Sequence, residues 1–177
     1  MTKYKNVRMY YWAYGSNLCE KQMRRRCPRA SKVGPLRVND GAVVFRRVAD
    51  VEPREGSVAH GGLWLITPEC ERALDGYEGI HTSMRYEKRY LVLAVKGEPR
   101  DCLFYVMIRD TRQEPPTDEY YATVRRGYED FGLPLEALER ALEESGGRPP
   151  RPRKRKRKRE GSRCWVGYRA GEQSCRT

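Results

Sequence analysis

The sequence predicts an α+β domain in which several short strands make a small barrel or strongly curved sheet, with helices packed at its sides. Short runs of β-branched and aromatic residues at 41–46, 57–66, 89–95 and 101–108 alternate with turn-forming stretches. That close spacing favours a barrel or curved sheet over a doubly wound one. Helical patterns with recognisable starts and stops lie before, between and after these runs. Charge marks the limit of the domain. Residues 148–177 hold 12 Lys+Arg and 2 Asp+Glu, and so carry +10 of the chain's +12. The 177 residues therefore divide into a nearly neutral domain, 1–147, and a basic tail, 148–177.

The elements follow in order. Arg8 to Ala13 is rich in aromatics and leads into Gly15, the pattern of a strand entering a tight turn. Between Leu18 and Cys27 the apolar positions Cys19, Met23 and Cys27 recur every four residues, one face of a helix, until Pro28 stops it. This strand, glycine turn and helix would set the backbone amides of Gly15, Ser16 and Asn17 at a helix N-terminus, where unpaired N–H groups favour negative charge. Thr67-Pro68-Glu69 opens a short helix as an N-cap followed by proline. That helix is expected to end near Asp75-Gly76, just before Glu78. After Pro115-Pro116, Thr117 can cap a helix running to about Phe131, and Leu133-Pro134 begins another that ends at Gly146-Gly147.

From Arg148 the chain turns Pro-rich and then runs unbroken from Arg153 to Arg159 in Lys and Arg. Such a run repels itself and buries no core, so the tail is expected to be disordered in isolation. Two readings of it stand side by side. Residues Arg148 to Arg159 can contact nucleic acid, acidic protein or another polyanion without sequence specificity, or they form a solvated tail with no partner. The run has no aromatic residue, which argues against base stacking. Gly161 to Thr177 has no periodicity and receives no assignment.

Six cysteines form no C-x-x-C pair, and His60 and His81 supply no zinc-finger spacing, so no structural metal is expected. Cys19 and Cys27 read as packing groups. The N-terminus has no long apolar stretch. The expectation is a soluble, cytoplasmic protein with reduced thiols and no membrane contact.

Tyr11-Trp12-Ala13-Tyr14-Gly15-Ser16-Asn17-Leu18 resembles the signature of the γ-glutamylcyclotransferase-like (AIG2-like) family. The same order of segments continues with Gly62-Leu63-Trp64, with Leu74-Asp75-Gly76-Tyr77-Glu78-Gly79, and with Pro115-Pro116-Thr117-Asp118-Glu119-Tyr120 leading into Gly132-Leu133-Pro134. The resemblance spans most of residues 9–145. It implies a small, partly open β-barrel flanked by helices, with a cavity lined by the loop Tyr14 to Asn17. It also implies release of 5-oxoproline from a γ-glutamyl amino acid or γ-glutamyl amine, with no metal and no cofactor. Glu78 matches the family's catalytic glutamate, and Tyr86, Tyr105 and Tyr120 fall where related proteins place tyrosines at the site.

The chemistry explains these residue types. The substrate's α-amino group attacks its own γ-carbonyl, so no enzymic nucleophile is needed and curling the glutamyl arm supplies much of the catalysis. A carboxylate between the two nitrogens can take a proton from one and return it to the other. Amides of Gly15 to Asn17 can hold either the α-carboxylate or the oxyanion. Each tyrosine hydroxyl can donate to a carboxylate while its ring packs on the aliphatic arm. Readings from other classes stay open at this point: a catalytically inactive relative that binds a ligand or partner, or a polyanion-binding protein that uses the barrel as a scaffold.

Overall fold

The structure, a computed structural model, describes residues 8–80, 85–108 and 111–149. Its strands are β1 (Met9–Ala13), β2 (Ser31–Arg46), β3 (Val48–Ile66), β4 (Tyr86–Val95) and β5 (Glu98–Met107), in the spatial order β2-β3-β1-β5-β4. The short aromatic strand β1 is central, antiparallel to β3 and parallel to β5. β2–β3 and β4–β5 are antiparallel hairpins, so the sheet is mixed and open, with β2 and β4 at its edges. Four helices, α1 (Glu20–Arg26), α2 (Pro68–Glu78), α3 (Asp118–Phe131) and α4 (Leu135–Glu144), complete the α+β fold.

One continuous core joins these layers. Trp12 from β1, Phe45 from β2, Leu63 and Ile66 from β3, Leu103 from β5, Leu74 from α2, Val124 and Tyr128 from α3 and Leu138 from α4 are each almost wholly buried. Burying side chains of this size supplies about 1.5–3 kcal/mol apiece before the entropy of ordering them is set against it. Close approach at one point positions the loop after β1. A Cβ built on Gly127 of α3 would stand 2.3 Å from the Leu18 Cβ and 2.7 Å from the Cys19 nitrogen, so only glycine lets α3 lie against that loop.

Several boundaries differ from the sequence expectation. The first hairpin is far longer than two short strands, 16 and 19 residues. The added length is residues 31–40 of β2 and 48–56 of β3, where Pro35, Asp40, Pro53 and Gly56 interrupt the run of strand-forming residues and only every second position of 34–38 is half-buried. A register shift between Asn39 and Gly41 kinks the hairpin, with Asp40 at φ 54° and its carboxylate accepting from the Gly56 N–H at 2.9 Å. The expected helix from Leu18 is instead a 3₁₀ turn, Ser16–Leu18, followed by α1 with Cys19 as its N-cap. Leu18 and Cys19 donate three residues back, to Gly15 and Ser16.

α2 begins as expected, with the Thr67 hydroxyl accepting from the Cys70 N–H. It does not stop at Asp75-Gly76. It runs through Glu78 and ends at Gly79, whose φ of 71° is the left-handed cap conformation. Thr117 caps α3, and Gly132 closes it in the same way. His81, and the basic run with the segment after it, lie outside the described residues. No described helix is long and apolar enough to cross a membrane.

Candidate active site

A cavity of about 270 Å³ opens where the end of β1, the 3₁₀ turn, the last turn of α2, the start of β4 and the start of α3 converge. Every site residue expected from the sequence lines it: Tyr14, Gly15, Ser16, Asn17, Glu78, Tyr86, Tyr105 and Tyr120. The sequence expectation missed Tyr11, Tyr77, Val48, Ala49 and Arg85 on the same wall. Among the described residues no group of three or more His, Cys, Asp or Glu is arranged to hold a metal ion.

Glu78 projects from the last turn of α2. Its Oε1 accepts from the Asn17 side-chain amide at 3.0 Å, and the same NH2 group donates to the Tyr11 hydroxyl at 2.8 Å. The other end of that amide faces a cation. Arg26 donates to Asn17 Oδ1, to Ser16 Oγ at 3.3 Å and to Gln22 Oε1 at 2.6 Å, while its guanidinium lies 3.4 Å from the centre of the Tyr77 ring. A guanidinium has no acceptor, so it fixes the amide with its oxygen toward Arg26 and its NH2 toward Glu78. Burial pushes the Glu78 carboxyl up to about 7, against the pull of the Asn17 hydrogen bond and the Arg26 charge. That places its proton exchange near neutrality.

The hydroxyls divide by what they already bond. Tyr14 donates to the Tyr105 carbonyl at 2.6 Å, Tyr86 to the Ala49 carbonyl at 3.0 Å, and Tyr105 to Asp75 Oδ1 at 2.7 Å. The hydrogens of Tyr86 and Tyr105 are therefore committed to protein acceptors, which corrects the expectation that each donates to substrate. Asp75 also pairs with Lys88 at 2.7 Å, tying Tyr105 into a network that braces α2 against β4. Tyr120 is different. Its oxygen accepts the Ala49 N–H at 3.1 Å and is also approached by the Ser16 N–H, so its own hydrogen remains available to the cavity.

The helix-start amides need a second correction. Gly15, Ser16 and Asn17 open a single 3₁₀ turn rather than α1, so a helix dipole contributes little there. The Ser16 N–H lies toward the Tyr120 hydroxyl, whose acidity it raises. The N–H groups of Gly15 and Asn17 have no protein acceptor among the described residues. Space beside Gly15 is tight: a Cβ there would sit 3.1 Å from the Ala49 Cβ and 3.2 Å from the Tyr120 hydroxyl, so a side chain would press on both.

With this geometry in hand, comparison with known proteins decides the family. The sequence profile described as gamma-glutamyl cyclotransferase, AIG2-like, matches residues 11–123, well over half of the chain and all of the cavity wall. This chain belongs to that family. Members similar to it include the gamma-glutamylcyclotransferase of Homo sapiens, 26% identical over 142 residues that cover 73% of this chain and 75% of the relative. A solved gamma-glutamyl cyclotransferase structure is also 26% identical, with a TM-score of 0.66 over 76% of this chain and 86% of that one. YkqA from Bacillus subtilis has the same fold, with a TM-score of 0.68 at 22% identity over 82% of this chain and 56% of its own.

Among the residues missed, Arg26 carried the faintest signal. Arg24, Arg25 and Arg26 close α1, where basic residues commonly complement a helix end, and nothing in the run distinguishes the third. Tyr11 was more legible, since its place in the aromatic strand leading to Tyr14 gives it a side facing the loop.

Proposed function

We propose that the protein is a γ-glutamyl cyclotransferase that releases 5-oxoproline from a γ-glutamyl amino acid or γ-glutamyl amine. The observation that supports this best is a buried carboxylate poised near neutrality, Glu78, held by the loop that identifies the family. The glutamyl arm curls in the cavity so that its α-nitrogen faces its own γ-carbonyl carbon. Holding one molecule in that shape is worth up to about 7–11 kcal/mol of the barrier.

Glu78, ionised, takes a proton from the α-ammonium as the nitrogen attacks. The new C–N bond closes the five-membered ring and the carbonyl electrons move onto oxygen. The N–H groups of Gly15 and Asn17 and the Tyr120 hydroxyl are the donors available to that oxygen or to the α-carboxylate. As the tetrahedral carbon collapses, the original amide C–N bond breaks, Glu78 returns its proton to the departing amine, and the second proton lost by the ring nitrogen completes that amine as an ammonium, leaving a neutral lactam N–H. Proton carriage of this kind contributes roughly 10²–10⁴-fold. Arg85 at the rim offers a positive charge to substrate carboxylate.

The test is release of 5-oxoproline from a panel of γ-glutamyl amino acids and γ-glutamyl amines, with Glu78→Gln as the control. Turnover of at least one member, lost in a Glu78→Gln protein that melts normally, is expected. Turnover of none, or full activity in the variant, overturns the proposal.

A further inference from the structure

A second cavity, of about 380 Å³, is lined by residues of β2, β3, α3 and α4. Its volume is in the range of small-molecule sites. Its polar lining is dominated by donors. Strand register sets Arg37 directly opposite His60, and α4 brings Arg140 to the same place, so both guanidiniums act on the imidazole. Among the described residues no ion pair or hydrogen bond engages the side chains of Arg37, His60 or Arg140. The remaining charged pair in the lining, Arg54 and Glu144, is satisfied internally at 2.8 Å.

Tyr128 adds an independent observation. Its side chain is 1% exposed and lines the cavity, yet its hydroxyl has no protein partner among the described residues. A hydroxyl that opens into a cavity and bonds no protein group is free to meet an acceptor on a ligand. Val43, Val58 and Ala141 supply an apolar surface beside these donors.

We infer that this cavity is a binding site for a small phosphate monoester, its oxyanion held by Arg140 and His60 and its ester end placed against Tyr128 and the apolar wall. A phosphate suits the site better than a monocarboxylate because more than one cation converges and a monoester carries close to two negative charges at neutral pH. Burial and the two guanidiniums hold His60 below its usual value. A bound anion acts on the imidazole in the opposite direction, favouring its charged form.

The experiment is calorimetric titration of the full chain with phenyl phosphate and with inorganic phosphate at fixed low salt, repeated for Arg140→Glu and Tyr128→Phe. All three proteins keep the same basic tail, so nonspecific binding to 148–177 is common to them. Saturable binding of phenyl phosphate is expected, weakened about tenfold or more by Arg140→Glu and severalfold by Tyr128→Phe, with thermal melts close to that of the parent. Inorganic phosphate is expected to bind more weakly than phenyl phosphate. Affinity left unchanged by both substitutions assigns the binding to other cations and overturns the inference, as does the absence of saturable binding.

Discussion

Burial raises the Glu78 carboxyl to about 7, and this makes ionisation costly to the fold as well as useful to chemistry. The folded chain holds this proton up to about pH 7, whereas an unfolded glutamate releases it near 4.5. Between those values the folded state binds more protons, so stability falls as pH rises, by on the order of 3 kcal/mol in all. Glu78→Gln removes the titration. Urea melts should show the variant gaining on the parent between pH 4.5 and pH 8; an equal offset at both pH values would exclude this. Asn17 and Arg26 act in the opposite direction, since both pull the carboxyl down. Arg26→Met should move the alkaline-favoured limb of the rate profile to higher pH. Arg26→Lys keeps a charge but not the fork that orients the Asn17 amide, and should lower kcat as well. Tyr120→Phe removes the acceptor of the Ala49 N–H together with the free O–H. It should cost about 1–3 kcal/mol in a denaturation experiment and reduce turnover, whereas Tyr86→Phe loses one hydrogen bond to a carbonyl, about 1 kcal/mol.

Elements place these groups by a few close contacts. α3 lies on the 3₁₀ turn because Gly127 has no side chain, and it carries Tyr120 into the cavity from its first turn. Gly127→Ala should therefore displace the turn against Leu18 and Cys19, lowering both the melting temperature and kcat although the residue touches no substrate. A stable, fully active Gly127→Ala protein would contradict this packing. The capped helices α3 and α4 were readable because Thr117, Gly132 and the Gly146-Gly147 pair are local signals. The start of α1 was not. A 3₁₀ turn and an α-helix share the same apolar spacing over one turn, and the hydrogen bonds from Leu18 and Cys19 distinguish them only in three dimensions. The end of α2 failed for a related reason: Asp75-Gly76 looks like a stop, but Asp75 is buried against Tyr105 and Lys88, and tertiary contacts carry the helix on to Glu78.

Across the whole molecule, the site is assembled from segments far apart in sequence around the central strand β1. Motif residues gave its lining, because Tyr14 to Asn17, Glu78 and Tyr120 sit in recognisable segments. The direction of each hydroxyl was beyond the sequence, since Tyr86 and Tyr105 find their acceptors on β3 and α2. The full length of the first hairpin was equally hidden, because Pro35, Asp40, Pro53 and Gly56 read as breaks although the ladder continues through them. The basic segment belongs to this scale too. Deleting residues 148–177 should leave melting and 5-oxoproline release unchanged while removing salt-sensitive binding to a polyanion column, and a truncated chain that fails to fold would show the domain to extend further. The central claim, that Glu78 carries the proton, is tested most directly by 5-oxoproline release from γ-glutamyl-alanine measured against pH in the parent and in Glu78→Gln. A limb centred near pH 7, with the rate rising as the carboxyl ionises and falling by about 10²-fold or more in the variant, is the predicted result. A parent profile with no limb near neutrality, or a variant that matches the parent rate, would contradict it.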